Sequence, residues 1–349
     1  MSNDTNTLTG ALLELGEKMA NNLQTQGVTA SASDGLSTLA DKILDIQGGG
    51  GVSCYNVSFT SNTWDYTDYD FSVNSHYTNL EVYLEYQYQA YSGTVTISDG
   101  TNTYQVTTNS NGIGKLKVTG ITSNTTTFTA SYNNTTSDTT VVTKTNFILL
   151  DKCDSSSGLS NYSASIPTYK SSSGNPSCSL TYDSSMGTYK IEATNTSTSY
   201  YSMIPIIATQ DKTNYVAEIK IYDNKRSSNS ECGLFVKDTV STSTSTYGVG
   251  ADMNDYANNF YIRRQSSSST STSVTTASSE TLAQQKWYKL VLVVTDTGIS
   301  AKWYNSDEEL IGENSYNLAI SNKQLGIWLR GGSAANTTYY LKEFKIRGL

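Results

Sequence analysis

The chain of 349 residues has a formal net charge of −8, is 36% hydrophobic but only 15% charged, and holds 26 tyrosines against three prolines. An acidic chain whose densest basic run is Arg263-Arg264 excludes nucleic acid and anionic membrane surfaces as partners, since both would repel it. So many aromatics exclude a disordered chain, nothing approaches the ~20 apolar residues of a membrane span, and Ser, Thr, Asn and Tyr in this proportion suit half-buried pleated strands.

The opening "MSNDTNTLTG" shows no cationic stretch followed by an apolar one, so no export signal is expected. Cys54, Cys153, Cys178 and Cys232 are then expected in a reducing compartment, as isolated thiols on strands, with a Cys153–Cys178 disulfide as the alternative. No CxxC spacing occurs and His76 is the only histidine, which excludes structural zinc; His76 itself, in "NSHYTN", is expected in an exposed loop.

Leu8, Leu12, Leu15, Met19 and Leu23 recur at helical steps up to a stop at Gly27, and Leu36, Leu39, Ile43 and Ile46 repeat the pattern. Two short helices with narrow apolar seams are predicted, each marginal alone in water. A hairpin of the two is too slim to bury both seams, and the glycine run 48–51 uncouples it from the β-rich remainder of the chain. Residues 1–47 are therefore expected to be an attachment segment covered by other copies of the chain. Leu12, Leu15, Met19, Leu23, Leu36, Leu39, Ile43 and Ile46 would form the contact. The plainer alternative packs the helices on their own β domain.

Residues 52–145 alternate with period two. Val57 and Phe59, then Leu80, Val82 and Leu84, then Val95 and Ile97 share faces, and "DG" at 99–100 reads as a hairpin turn before Tyr104 and Val106. Short strands at this spacing imply an antiparallel sandwich. The stretch "SGTVTISDGTNTYQVTTNSNGIGKLKVTGITSNTTTFTASY" resembles the Ig-like repeats of bacterial and archaeal surface and phage structural proteins, without the Cys…Trp…Cys set of antibody domains.

Residues 146–349 contain "NYVAEIKIYD", "ECGLFVKD", "NNFYIRRQ", "QKWYKLVLVVTDTGISAKWYN", "QLGIWLRGG" and "YYLKEFKIRGL". A hairpin is expected at "TDTG", a polar loop over 265–280, and a C-terminal strand that closes a sheet. The succession resembles the concanavalin A-like jelly roll of laminin-G, pentraxin-type and lectin-like domains. The fold class expected for the whole chain is thus mainly β: a short helical segment (1–47), a glycine linker (48–51), an Ig-like sandwich (52–145) and a jelly roll (146–349).

Glycosidases of that resemblance carry carboxylates alternating as ExDxE, which places acid and nucleophile on one face. No such run occurs here: Glu218 shares its face with Lys220 and Tyr222, and "DEEL" (307–310) reads as a solvated turn. With a single histidine no His-based triad is available, so no enzyme is expected. On "NNFYIRRQ", Phe260 and Ile262 oppose Tyr261 and Arg263; on "LGIWLRGG", Leu325, Ile327 and Leu329 oppose Trp328 and Arg330. If the aliphatic faces line the core, Tyr261, Arg263, Trp328 and Arg330 form an outward surface of rings and planar cations suited to a sugar. A second core layer or a protein interface is the alternative, and Trp287 and Trp303 are expected in the core. No cofactor is required, although the resemblance to laminin-G domains implies a calcium site, for which Asp252, Asn254 and Asp255, or Asp65, Asp68 and Asp70, offer hard oxygen ligands.

The opening helices resemble segments of structural proteins of tailed viruses of bacteria and archaea. Together the three resemblances imply a non-enzymatic virion tail-fibre or tail-tip adhesin, a homotrimer joined to other tail proteins through its N-terminus and to host surface glycan through its C-terminal domain. The alternatives are a virion decoration protein that binds no receptor, and a cell-surface adhesin.

Overall fold

The computed structural model describes residues 2–25, 29–31, 33–39, 42, 55–137, 139–170, 177–194, 200–210, 212, 214–225, 230–237, 248–254, 257–265, 271–320, 324–331 and 336–349. The chain divides into two compact units, Met1–Thr145 and Asn146–Leu349.

The first unit opens with helix α1 (Ser2–Thr25), and a second helical turn covers 36–39. Ala20 and Leu23 pack on Ala30 and Leu39, with Met19 half-buried beside them. Gly16 faces the same contact, where a Cβ would stand at ordinary packing distance, 3.9 Å from Leu39 and 4.0 Å from Leu36. The Gln24 amide donates to the Ala30 carbonyl at 2.6 Å, and Lys42 pairs with Asp34 at 2.6 Å, which fixes the reversal of the chain. This corrects the expectation that the helices need other copies to cover them throughout: Leu23 and Leu39 are covered by their own chain, and Leu36 is half-buried. Leu12 and Leu15 are 44% and 48% exposed, and Leu13, off the expected seam, is 63% exposed. Ile43 and Ile46 lie outside the described residues.

Among the described residues ten strands come next: β1 (Tyr55–Phe59), β2 (Asp68–Asp70), β3 (Ser75–Tyr86), β4 (Gln89–Ala90) and β5 (Thr94–Ser98), then β6 (Thr103–Thr107), β7 (Ile113–Thr119), β8 (Thr125–Tyr132), β9 (Thr135–Thr136) and β10 (Thr140–Thr143). One antiparallel sheet is centred on β3, which pairs with β1, β2, β4 and β7; the other runs β10-β8-β5-β6, with β9 on β8. The alternating aliphatics meet between them: Val57, Leu80, Val82 and Leu84 from the first pack on Val95, Ile97, Phe128 and Val142 from the second. Each fully buried side chain of this kind contributes about 1.5–3 kcal/mol. The expected hairpin joins β5 to β6, where Gly100 adopts φ +87°. His76 is not in a loop. It sits half-buried on β3 with Nδ1 3.2 Å from the Thr67 hydroxyl, and burial, followed by the Lys144 charge, holds its pKa below the usual value.

The second unit holds fifteen strands among the described residues: β11 (Phe147–Asp151), β12 (Ile166–Lys170), β13 (Ser177–Asp183), β14 (Thr188–Thr194), β15 (Tyr200–Pro205), β16 (Tyr215–Lys225), β17 (Glu231–Lys237) and β18 (Gly248–Asn254) come first. After them run β19 (Asn259–Gln265), β20 (Ser271–Ala277), β21 (Trp287–Thr295), β22 (Gly298–Tyr304), β23 (Leu310–Asn317), β24 (Gln324–Gly331) and β25 (Asn336–Gly348). They form two antiparallel sheets, one of eight strands in the order β13-β14-β25-β16-β21-β22-β23 with β11 on β25, and one of seven in the order β12-β15-β24-β17-β18-β19-β20. The chain passes repeatedly from one sheet to the other, and the two inner faces share a single large core. Across that core Trp303 of β22 stacks on Phe260 of β19 at 4.6 Å. The unit is a concanavalin A-like sandwich.

Three expectations are revised here. The C-terminal strand does not close an edge: β25 lies inside the eight-stranded sheet, its first half on β14, its last on β11, and β16 along its other side. Part of the polar stretch 265–280 is strand β20, an edge strand paired with β19, and residues 266–270 lie outside the described residues. Trp303 is fully buried as expected, whereas Trp287 is half-buried, 5.2 Å from the Tyr222 ring and 4.1 Å beneath the Lys342 ammonium. Cys153, Cys178 and Cys232 are buried free thiols, with Cys178 pushed up to about 12 by burial.

Candidate ligand-binding face

The period-two alternation sends Leu325, Ile327 and Leu329 of β24 and Phe260 and Ile262 of β19 into the core. Tyr261, Arg263, Trp328 and Arg330 consequently share the opposite face of the seven-stranded sheet. Strand order then brings them together. Arg330 lies opposite Glu231 across β24 and β17, Asp252 lies opposite Gly233 across β17 and β18, and Tyr261 lies opposite Asp252 across β18 and β19.

Glu231 is the hub. It is 1% exposed, and its Oε1 accepts from Arg263 Nη2 at 2.6 Å, Arg330 Nη1 at 2.7 Å and Asn254 Nδ2 at 3.1 Å. Its Oε2 accepts from the Tyr201 hydroxyl at 3.2 Å. Each arginine also lies over a ring, Arg263 at 3.9 Å from the Tyr261 centroid and Arg330 at 5.1 Å from Tyr201. The side chains of Arg263 and Arg330 are 11% and 17% exposed, and these bonds fix them in place. Burial works against the charge of Arg263, but Asp252 and Glu231 hold its pKa above the usual value.

Trp328 does not offer a ring to a sugar. It is 1% exposed, stacked 4.9 Å from Tyr201 and tilted 5.0 Å from Phe235, and its indole N–H donates to the Thr168 hydroxyl at 3.0 Å. With Tyr201, Met203 and Phe235 it builds a second apolar layer on the outer face. The sheet has room for that layer because Gly250 lies beneath it: a Cβ there would stand 2.6 Å from the Trp328 ring. What remains for a ligand is the two guanidinium edges with half-buried Tyr261.

No protein-family model matches the chain, and neither does any curated protein. Solved structures resemble part of the chain at a distance. A protein of unknown function from Shewanella oneidensis MR-1 is 14% identical over 57% of this chain and 84% of its own, with a TM-score of 0.39. The carbohydrate binding module CBM66 from Bacillus subtilis is 10% identical over 54% and 98%, with a TM-score of 0.37. The exoplasmic/lumenal domain of VIP36, in a form bound to Ca2+ and Man2, is 9% identical over 54% and 90%, again with a TM-score of 0.37. At this distance the strand order of the chain itself, not the likeness, defines the fold.

The calcium ligands expected on this face are otherwise engaged. Asp252 faces Arg263 Nε at 3.3 Å and Asn254 donates its amide to Glu231, while Asp255 lies outside the described residues. Two guanidiniums beside these oxygens would repel a divalent ion. In the alternative set Asp70 pairs with Lys117 at 2.5 Å, and Asp68 accepts from the Tyr77 hydroxyl at 3.2 Å. Among the described residues no group of three or more His, Cys, Asp or Glu is arranged to hold a metal. Glu231 and Tyr201 escaped sequence reading. Glu231 lies on the outward phase of "ECGLFVK", but its neighbours are 32 and 99 residues away along the chain, and only strand order reveals them.

Proposed function

We propose that the chain is a non-catalytic glycan-binding protein whose site is the Arg263–Glu231–Arg330 patch with Tyr261. The observation that carries this reading is the pair of guanidiniums anchored on one buried carboxylate oxygen. Arginines held this way lose little freedom on binding, and the planar guanidinium suits vicinal hydroxyls or a sugar carboxylate. Glu231 and Asp252 do not resemble a catalytic acid pair, since both are 1% exposed and Glu231 Oε1 already takes three donors. The finer reading is a tail-fibre or tail-tip adhesin of a tailed virus: a homotrimer in the virion, attached to other tail proteins by the N-terminal helices and to host surface glycan by this face. The exposed Leu12, Leu13 and Leu15 support an attachment role for α1. A decoration protein without a receptor is the second reading, favoured by the burial of Trp328, which leaves the face less open than expected.

The test is a glycan array probed with the full chain, then calorimetric titration of any hit. Tyr261→Ala and Arg330→Lys are expected to weaken binding at least tenfold while melting stays near wild type. An array without hits would leave decoration as the better reading, and hits that both variants bind as well as wild type would remove this patch as the site.

A further inference from the structure

The first unit carries a separate feature that the patch on the second does not explain: a groove of about 490 Å³ on the outer face of the β3 sheet. Its size falls within the range of about 300–1,000 Å³ usual for small-molecule sites. Strand β3 supplies the centre with Asn79 and Glu81, the neighbouring β7 supplies Lys115 and Lys117, and the segment between β1 and β2 supplies Asn62 and Trp64. That segment is pinned to the far edge of β3 by bonds from Thr60 N to the Glu81 carbonyl at 2.9 Å and from Trp64 N to the Asn79 carbonyl at 3.1 Å. The walls are therefore fixed by backbone rather than assembled by a ligand.

The groove presents both halves of an amphipathic surface. Trp64 lines it half-buried, braced by Tyr66 at 5.5 Å and Tyr77 at 5.7 Å. Among the described residues neither its indole N–H nor the side-chain amide of Asn79 makes a hydrogen bond. Asn62 donates to Glu81 at 3.2 Å, which fixes that amide with its oxygen still able to accept. Each cation has a matching acid: Lys115 lies 3.3 Å from Glu81 and Lys117 2.5 Å from Asp70. Nothing here seats a phosphate or a carboxylate, and the groove crosses a sheet face rather than an edge, so a peptide has no unpaired strand to extend. A ring with an apolar C–H face and a rim of hydroxyls answers to what is present.

We infer that this groove, with Trp64 as platform and Asn79, Asn62 and Lys115 as polar rim, is a second binding site, for a neutral saccharide. It is independent of the arginine patch, and the two sites fail separately.

The test uses full-length protein labelled with 5-fluorotryptophan, whose four fluorine resonances are assigned by single Trp→Phe substitutions. Maltotetraose, cellotetraose, xylotetraose and chitotetraose are titrated to millimolar concentration, with a mixed tetrapeptide pool as control. At least one tetraose is expected to shift the Trp64 resonance saturably. Asn79→Ala and Lys115→Ala should each weaken that response about fivefold to tenfold, the worth of one hydrogen bond, with the urea unfolding transition of the full chain unchanged as evidence that the fold is intact. Tyr261→Ala should leave the Trp64 response unchanged, even if it abolishes binding at the arginine patch. The inference is overturned if no tetraose moves the Trp64 signal, if the peptide pool moves it instead, or if Asn79→Ala responds like wild type.

Discussion

Two acids and two bases share the patch on the second unit, and the acids are not equivalent. Glu231 accepts from Arg263, Arg330, Asn254 and Tyr201. Neither carboxylate oxygen of Asp252 receives a hydrogen bond, although both are buried. Burial, and then repulsion from Glu231, push the Asp252 carboxyl well above its ordinary value, outweighing the pull of Arg263 and Arg330. A carboxyl whose pKa is raised by folding binds its proton more tightly folded than unfolded. Its stabilising effect is complete below the ordinary value of 3.8 and is lost as the pH climbs through the folded value. Each unit of that rise is worth about 1.4 kcal/mol. Asp252→Asn, which cannot ionise, is therefore expected to be more stable than wild type at neutral pH and to lose the advantage in acid, as read from urea denaturation across a pH series. Lower stability of the Asp252→Asn protein at neutral pH would show instead that an ionised Asp252 is held by Arg263. The outward phase of Tyr261, Arg263 and Arg330 was legible in the sequence because alternation alone decides it. The inequality of the two acids was not, since it depends on which strands lie side by side.

At the level of elements, β18 shows why part of the fold escaped the sequence. The residues "GVGADMN" place Val249, Ala251 and Met253 in the core but put Gly248 and Gly250 on the outer phase, so half of the alternation is silent and the stretch does not announce a strand. The silence has a cause in the neighbouring strands. Phe235 of β17 and Trp328 of β24 lie across β18, and a Cβ on Gly250 would come within 2.6 Å of Trp328 and 2.9 Å of Phe235. Real Cβ contacts are not that short, so Gly250→Ala must displace one of two rings that are at most 1% exposed. Overpacking of this kind costs about 1–3 kcal/mol, and a fall of that size in the free energy of unfolding is expected, with the slope against urea unchanged. A neutral substitution would mean that the outer aromatic layer shifts freely and that Trp328 is available to a ligand after all. The same layer explains the misplacement of Trp328: the sequence shows which way a side chain points, but not what lies over it.

For the molecule as a whole, the open matter is what covers the first half of α1. A helix of 24 residues extends for about 36 Å, and among the described residues its hydrophobic contacts with its own chain are made by Met19, Ala20 and Leu23 near its C-terminal end. Leu12, Leu13 and Leu15 stand on the remainder at 44%, 63% and 48% exposure. A hairpin held by one small cluster is a weak unit alone, and helices of this kind draw most of their stability from packing against something else. The proposed homotrimer supplies that packing from second and third copies of α1. Replacing Leu12, Leu13 and Leu15 together by Gln is then expected to turn an oligomer into a monomer in sedimentation equilibrium while leaving Leu23 and Leu39 packed. Assembly also bears on binding, because linked copies engage an immobilised glycan together and gain about 10²–10⁴ over a single site. The triple variant should therefore lose at least a hundredfold on a glycan-coated surface but bind free oligosaccharide as wild type does. A wild-type chain that sediments as a monomer at high micromolar concentration removes the trimer. A triple variant that stays oligomeric moves the contact elsewhere, and in either case the glycan sites would have to act singly.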